Sequence, residues 1–167
     1  MSTSNNLALL SRHGILLTLI GSLGIVFAAL AYEQLTGLLP CQLCWLQRWV
    51  FIGLAGLSLV TLFLQKYRLL RWPLIALYAL FSITGVAIAL RHLYIKMNPT
   101  SVSCGMDVEM LLDFFPLQEA ITHMLIGSSD CAQQANLLSL PLPTWSLTGY
   151  LLLGGLAIFS LISARKA

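Results

Sequence analysis

Pro40-Cys41-Gln42-Leu43-Cys44-Trp45-Leu46-Gln47-Arg48 sets two cysteines three positions apart where a polar turn gives way to a long apolar run. Pro40 confines the preceding Leu39 to an extended shape, so the turn ends there and a helix opens at the cysteines. The start of a helix carries partial positive charge, which favours a thiolate over a thiol. Arg48 follows Cys44 by four residues, one turn further along the same face, and adds a full positive charge. Stabilising the reduced, ionised sulfur makes the disulfide a stronger oxidant, at about 1.4 kcal/mol per 30 mV. Cys41 and Cys44 therefore read as the working pair of a thiol oxidase. The competing readings are an inert staple and half of a zinc site. Zinc would want four closely arranged Cys or His ligands, and the other cysteines stand far along the chain, so no metal is expected.

The surrounding composition points to a membrane. Of 167 residues, 58% are hydrophobic and only 9% charged, against about 25% charged in a soluble domain. Spans are expected at about 14–32, 45–64, 72–92 and 145–163, each near the roughly 20 residues that cross a 30 Å hydrocarbon core. Lipid offers backbone groups no partner, so these must be helices. The expected fold is all-α, one integral membrane four-helix bundle over residues 1–167, with outer loops at about 33–44 and 97–144. Arg12 and Ala29-Leu30-Ala31 give the first span some likeness to a signal peptide. Its apolar run exceeds the usual 7–15 residues, so it is expected to remain as a span.

Charge sets the orientation. Arg12 precedes span one, Lys66, Arg68 and Arg71 lie between spans two and three, and Arg165 and Lys166 follow span four. The acids Glu33, Asp107, Glu109, Asp113, Glu119 and Asp130 all fall on the other side. Basic loops stay in the cytoplasm, which puts both termini inside and all four cysteines outside, in an oxidising compartment such as the periplasm. The net charge of +3 is thus a matter of topology, and no nucleic-acid partner is expected.

Small residues in span one (Gly14, Gly21, Ser22, Gly24) and span two (Gly53, Ala55, Gly56, Ser58) suit close helix packing. The long outer loop carries two amphipathic stretches. Val108, Leu111, Leu112 and Phe115 recur at helical spacing, and after Pro116 so do Leu117, Ala120, Ile121, Met124 and Leu125. Short helices of this kind can lie on the membrane surface near the Cys41–Cys44 mouth. Gly127-Ser128-Ser129-Asp130 is a turn cluster expected to present Cys131 to solvent.

Four cysteines allow three pairings, of which Cys41–Cys44 with Cys104–Cys131 is the simplest. The second bridge would remove roughly 3–4 kcal/mol of chain entropy, or serve as an exposed bond open to a partner's thiolate. Arg48 either snorkels to the interface or stabilises a charged acceptor or the Cys44 sulfur. His92, at the outer end of span three, is either an ordinary interfacial histidine or a donor to an acceptor molecule. His13 and His123 look incidental, and Trp45 and Trp49 suit core and interface.

Pro-Cys-x-x-Cys before a membrane helix, Arg48 four residues on, four spans, a distal cysteine pair, Ser-Asp-Cys131 and Pro-x-Trp145 together resemble the DsbB disulfide-bond formation proteins. The resemblance implies a bacterial inner-membrane enzyme that reoxidises a periplasmic thioredoxin-like carrier, DsbA-like, and passes electrons to the quinone pool. Ubiquinone, or menaquinone without oxygen, would be the acceptor. Cys41–Cys44 would be the quinone-proximal disulfide and Cys104–Cys131 the loop disulfide. The carrier would attack Cys104, freeing Cys131 to attack Cys41 and release Cys44 toward the quinone. Arg48 matches the family's quinone-contacting arginine, and His92 falls where the family has a histidine near the quinone. Vitamin K epoxide reductase-like bundles also carry Cys-x-x-Cys, but late in the bundle, whereas here it opens span two.

Overall fold

The computed structural model describes residues 2–37, 40–64, 67–102, 105–106, 108–133, 136–137 and 139–163. Lys66, Cys104, Asp107, Arg165 and Lys166 lie outside the described residues. The helices are α1 (Ser2–Thr36), α2 (Gln42–Leu64), α3 (Arg71–Met97), α4 (Val108–Phe114), α5 (Leu117–Ile126), α6 (Ser129–Gln133) and α7 (Leu142–Ser163). Four of them are long and apolar enough to cross a membrane: α2, α3, α7 and the Ser11–Thr36 part of α1. The protein is an all-α integral membrane bundle.

Each long helix outruns the apolar stretch that announces it, because backbone hydrogen bonding continues where hydropathy has already fallen. Helix α1 ends only at Thr36, where the Gly37 amide donates to the Glu33 carbonyl at 2.8 Å. Gly37 has φ +67° there, the left-handed conformation that glycine adopts without strain. Helix α2 starts at Gln42, so the expected 33–44 loop is shorter at both ends, and Glu33 and Cys44 are helical. Helix α3 stops before Asn98-Pro99, as the proline demands. Helix α7 begins at Leu142 with Pro143 in its first turn, where a missing N–H costs nothing.

Helices α1, α2, α3 and α7 form a closed ring in that order, each packed on its two neighbours. Ile15, Phe51, Leu54, Tyr78, Tyr150 and Leu161 are buried between them. The Phe51 and Tyr150 rings stack at 4.1 Å with planes 10° apart. Two buried tyrosine hydroxyls find partners, as an apolar interior favours. Tyr78 donates to Ser58 at 3.1 Å, and Tyr150 donates to the Gln47 carbonyl at 2.8 Å. Gly85 makes room for the Tyr150 ring, whose carbons stand 2.6 Å from where a β-carbon would sit. Gly14 and Gly21 likewise meet α7, but Gly24 and Gly56 face open space among the described residues and have no packing role of that kind.

The long segment between α3 and α7 is docked. Leu111, Ala120 and Met124 bury against one another, joined by Val108, Phe115 and Leu46 of α2. Arg91 donates to the Ile126 carbonyl at 2.9 Å, satisfying the end of α5. Two-residue strands, Asn136–Leu137 and Leu140–Pro141, pair antiparallel just before α7. One expectation is overturned: Cys131 does not face solvent but is fully buried. The polar turn ahead of it starts α6, which packs on α3 and α2 and turns Cys131 inward.

Candidate redox site

Cys41 caps α2. Its carbonyl accepts the Trp45 amide at 3.0 Å, and its sulfur accepts the Cys44 amide at 3.4 Å. This satisfies donors that a helix start leaves unpaired. Cys44 sits in the first turn, and the two sulfurs stand 3.2 Å apart as thiols in contact. Cys41 is buried and Cys44 half-buried.

On one side of this pair the structure gathers Cys131 and His92, distant in sequence and both buried. His92 Nε2 is 3.1 Å from the Cys131 carbonyl and 3.8 Å from the Cys41 sulfur. A carbonyl can only accept, so Nε2 carries the hydrogen and donates it to Cys131. The imidazole thus fixes the backbone that presents the Cys131 sulfur. Burial foremost pushes the Cys41 thiol well above the ordinary thiol range, and its hydrogen bonds to Cys131 and Cys44 add to the rise. Cys131 moves the other way, to about 6. Its hydrogen bond with Cys41 is the main cause, backbone contacts at Ser128 and Leu43 assist, and burial opposes. Of Cys41 and Cys131, Cys131 is therefore the sulfur that ionises more readily, and Cys41 the one that keeps its proton longer.

The other side of Cys44 opens on a cavity of about 450 Å³ between α1, α2 and α7, within the usual range for a small-molecule site. Its wall is almost wholly apolar, with Ile25, Phe51, Trp145 and Leu152 among the lining residues. Arg48 and Glu33 are the charged residues of the described wall. Arg48 Nη1 is 2.6 Å from Glu33 Oε2, and Nη2 reaches the Ala29 carbonyl at 3.5 Å.

Of the residues singled out by sequence, Cys41, Cys44, Cys131 and His92 come together, and Arg48 joins Cys44 at the cavity wall. Cys104 lies outside the described residues, and the Cys104–Cys131 pairing with it. His92 stands among the sulfurs and is not a lining residue of the cavity. Glu33 was missed, being read as part of a loop. An acid fifteen residues before Arg48, at the outer edge of an apolar run, was the available signal. The ligand atoms of Cys41, Cys44 and His92 lie within 4.8 Å of one another, so this group could also hold a soft metal ion.

A membrane bundle with a Cys-x-x-Cys pair at a helix start, flanked by a third buried sulfur and an apolar cavity, defines a membrane thiol–disulfide exchange protein. Known sequences narrow that class. The family model for DsbB, disulfide bond formation protein DsbB, matches residues 11–160. Disulfide bond formation protein B of Alkalilimnicola ehrlichii is 44% identical over 157 residues, covering 94% of this chain and 97% of its own. The proteins of the same name from Methylobacillus flagellatus and Saccharophagus degradans are 33% and 31% identical, covering 92% and 93% of this chain and 92% and 95% of theirs. The chain belongs to the DsbB family of disulfide-bond formation proteins, and is a disulfide oxidoreductase.

Proposed function

We propose that this protein reoxidises a periplasmic thioredoxin-like dithiol carrier, DsbA-like, and delivers the electrons to membrane quinone, supporting disulfide formation in exported proteins. The observation that carries this reading is the double position of Cys44. It touches Cys41 at 3.2 Å on one side and lines the cavity on the other.

The donor set fits a quinone. A flat, neutral, lipid-soluble ring suits apolar walls, and Arg48 offers N–H donors for its carbonyl oxygens. Phe51, Trp145 and Leu152 would hold the ring, with Cys44 beside it. Ubiquinone, or menaquinone where oxygen is absent, supplies when bound a sink for two electrons and two protons. The other steps belong to this chain. The carrier's thiolate attacks Cys104 of a Cys104–Cys131 disulfide, forming the mixed disulfide and releasing Cys131. The Cys131 thiolate attacks Cys41 of a Cys41–Cys44 disulfide, so the Cys41–Cys131 bond forms and Cys44 leaves as a thiolate. His92 holds the Cys131 backbone during that exchange. The carrier's second thiolate then attacks its mixed disulfide, so the carrier departs oxidised and Cys104 is released as a thiolate. Cys104 attacks Cys131 to restore Cys104–Cys131 and frees Cys41 beside Cys44 for reoxidation.

The reading puts the protein in the bacterial inner membrane, with both termini in the cytoplasm and the cysteines in the periplasm, following the basic residues. The test is quinone reduction by purified protein supplied with reduced carrier. Turnover that requires Cys44 supports the reading, and an unchanged rate in Cys44→Ser overturns it. Stoichiometric zinc retention by fully reduced protein, with no turnover, would favour the metal-site alternative that the Cys41, Cys44, His92 group allows.

A further inference from the structure

Arg48 is not a free cation. Its Nη1 is 2.6 Å from Glu33 Oε2, and both side chains are largely shielded, at 17% and 24% exposure. Glu33 sits in the last turn of α1, a turn that contains no basic residue. Carbonyl ends of helices repel anions, so the last turn of α1 supplies the carboxylate with no counter-charge of its own. Its counter-charge comes from α2. The same two groups are the charged members of the described cavity wall. Tyr32 of α1 and Cys44 of α2 are the other titratable groups that line it, and α7 contributes Trp145, Ser146 and Thr148, none of which ionises near neutral pH.

We infer that Glu33 is a specificity residue of the acceptor site: by cancelling the Arg48 charge, it makes the cavity select an uncharged ring over an anionic one. This rests on the quinone reading above. An unpaired guanidinium in an apolar recess would be a strong anion trap, because charge interactions grow as water is excluded. Such a site would collect acidic aromatic compounds from the membrane surface. Paired with Glu33, Arg48 still has N–H donors left for a neutral carbonyl but presents no net charge.

The test compares two rings of one skeleton in detergent-solubilised full-length protein: neutral 2-methyl-1,4-naphthoquinone, and 2-hydroxy-1,4-naphthoquinone, which is an anion at pH 7. Binding is read by calorimetry, with no turnover required. The parent protein is expected to prefer the neutral ring. Glu33→Gln leaves Arg48 uncompensated and should shift the affinity ratio toward the anion by about tenfold or more. Glu33→Asp should keep the parent's ratio. Arg48→Gln leaves the carboxylate alone and should shift the ratio the other way, and the double variant should return it near the parent's. A ratio in Glu33→Gln within about twofold of the parent's, with both rings still bound, overturns the inference while leaving the acceptor site standing. Should Glu33→Gln fail to fold, the unmodified protein still decides: equal binding of the two rings, or preference for the anion, overturns the proposal. A parent that binds neither ring overturns the acceptor reading itself, and the selectivity with it.

Discussion

The two faces of the Cys41–Cys44 pair are built on opposite principles. Toward α6 the pair meets sulfur and imidazole: Cys131 and His92 are fully buried, with His92 Nε2 3.1 Å from the Cys131 carbonyl and 3.8 Å from the Cys41 sulfur. Toward α1 and α7 it meets about 450 Å³ of open apolar space with one ion pair on its wall. A dense face suits exchange between sulfurs, which must approach in line with little freedom to wander. An open face suits a diffusible partner that enters and leaves. Cys44 belongs to both, and the chemistry of the molecule depends on keeping them apart.

The largest way to break this division is Cys44→Ser. It removes the sulfur common to both faces, and we expect quinone reduction with reduced carrier to fall by about 10³-fold or more, measured by the quinone's absorbance. On the dense face alone, the hydrogen bond with Cys41 pulls Cys131 in the fully reduced protein down to about 6. The sign follows: thiolate above that value, thiol below it. Its alkylation rate should be near its plateau at pH 7 and fall about tenfold by pH 5, whereas an ordinary thiol would lose about a hundredfold over the same span. On the open face, Arg48→Gln should raise the KM for ubiquinone by roughly fivefold to tenfold and leave sulfur exchange between Cys131 and Cys41 unchanged. Smallest of all, Tyr150→Phe loses the bond to the Gln47 carbonyl behind the cavity. It should cost about 1 kcal/mol in denaturation experiments with little change in turnover.

Sequence revealed one face better than the other. The four spans were legible because lipid demands continuous apolar runs, and so was the Cys41–Cys44–Arg48 register on one helix. Helix ends were not. Hydropathy falls at Glu33 while the backbone stays helical to Thr36, so the Arg48 counter-ion passed for a loop residue. The dense face is assembled from α2, α3 and α6, and no local pattern says that His92 and Cys131 meet Cys41. The turn chemistry around Ser128 even argued for an exposed Cys131, because composition reports a turn's polarity and not the side on which the next helix packs. Similarly, Gly24 and Gly56 look like packing residues in sequence, yet face open space among the described residues.

The central claim is that exchange enters at Cys41 and leaves through Cys44. It is tested most directly on quinone-free protein with both disulfides formed, by mapping the bonds trapped when a reduced carrier that keeps only its attacking cysteine is added. The account predicts a Cys41–Cys131 bond, read by peptide mass spectrometry, with Cys44 left free for alkylation and the carrier held on Cys104. Equal trapping of Cys131 on Cys44 would contradict it.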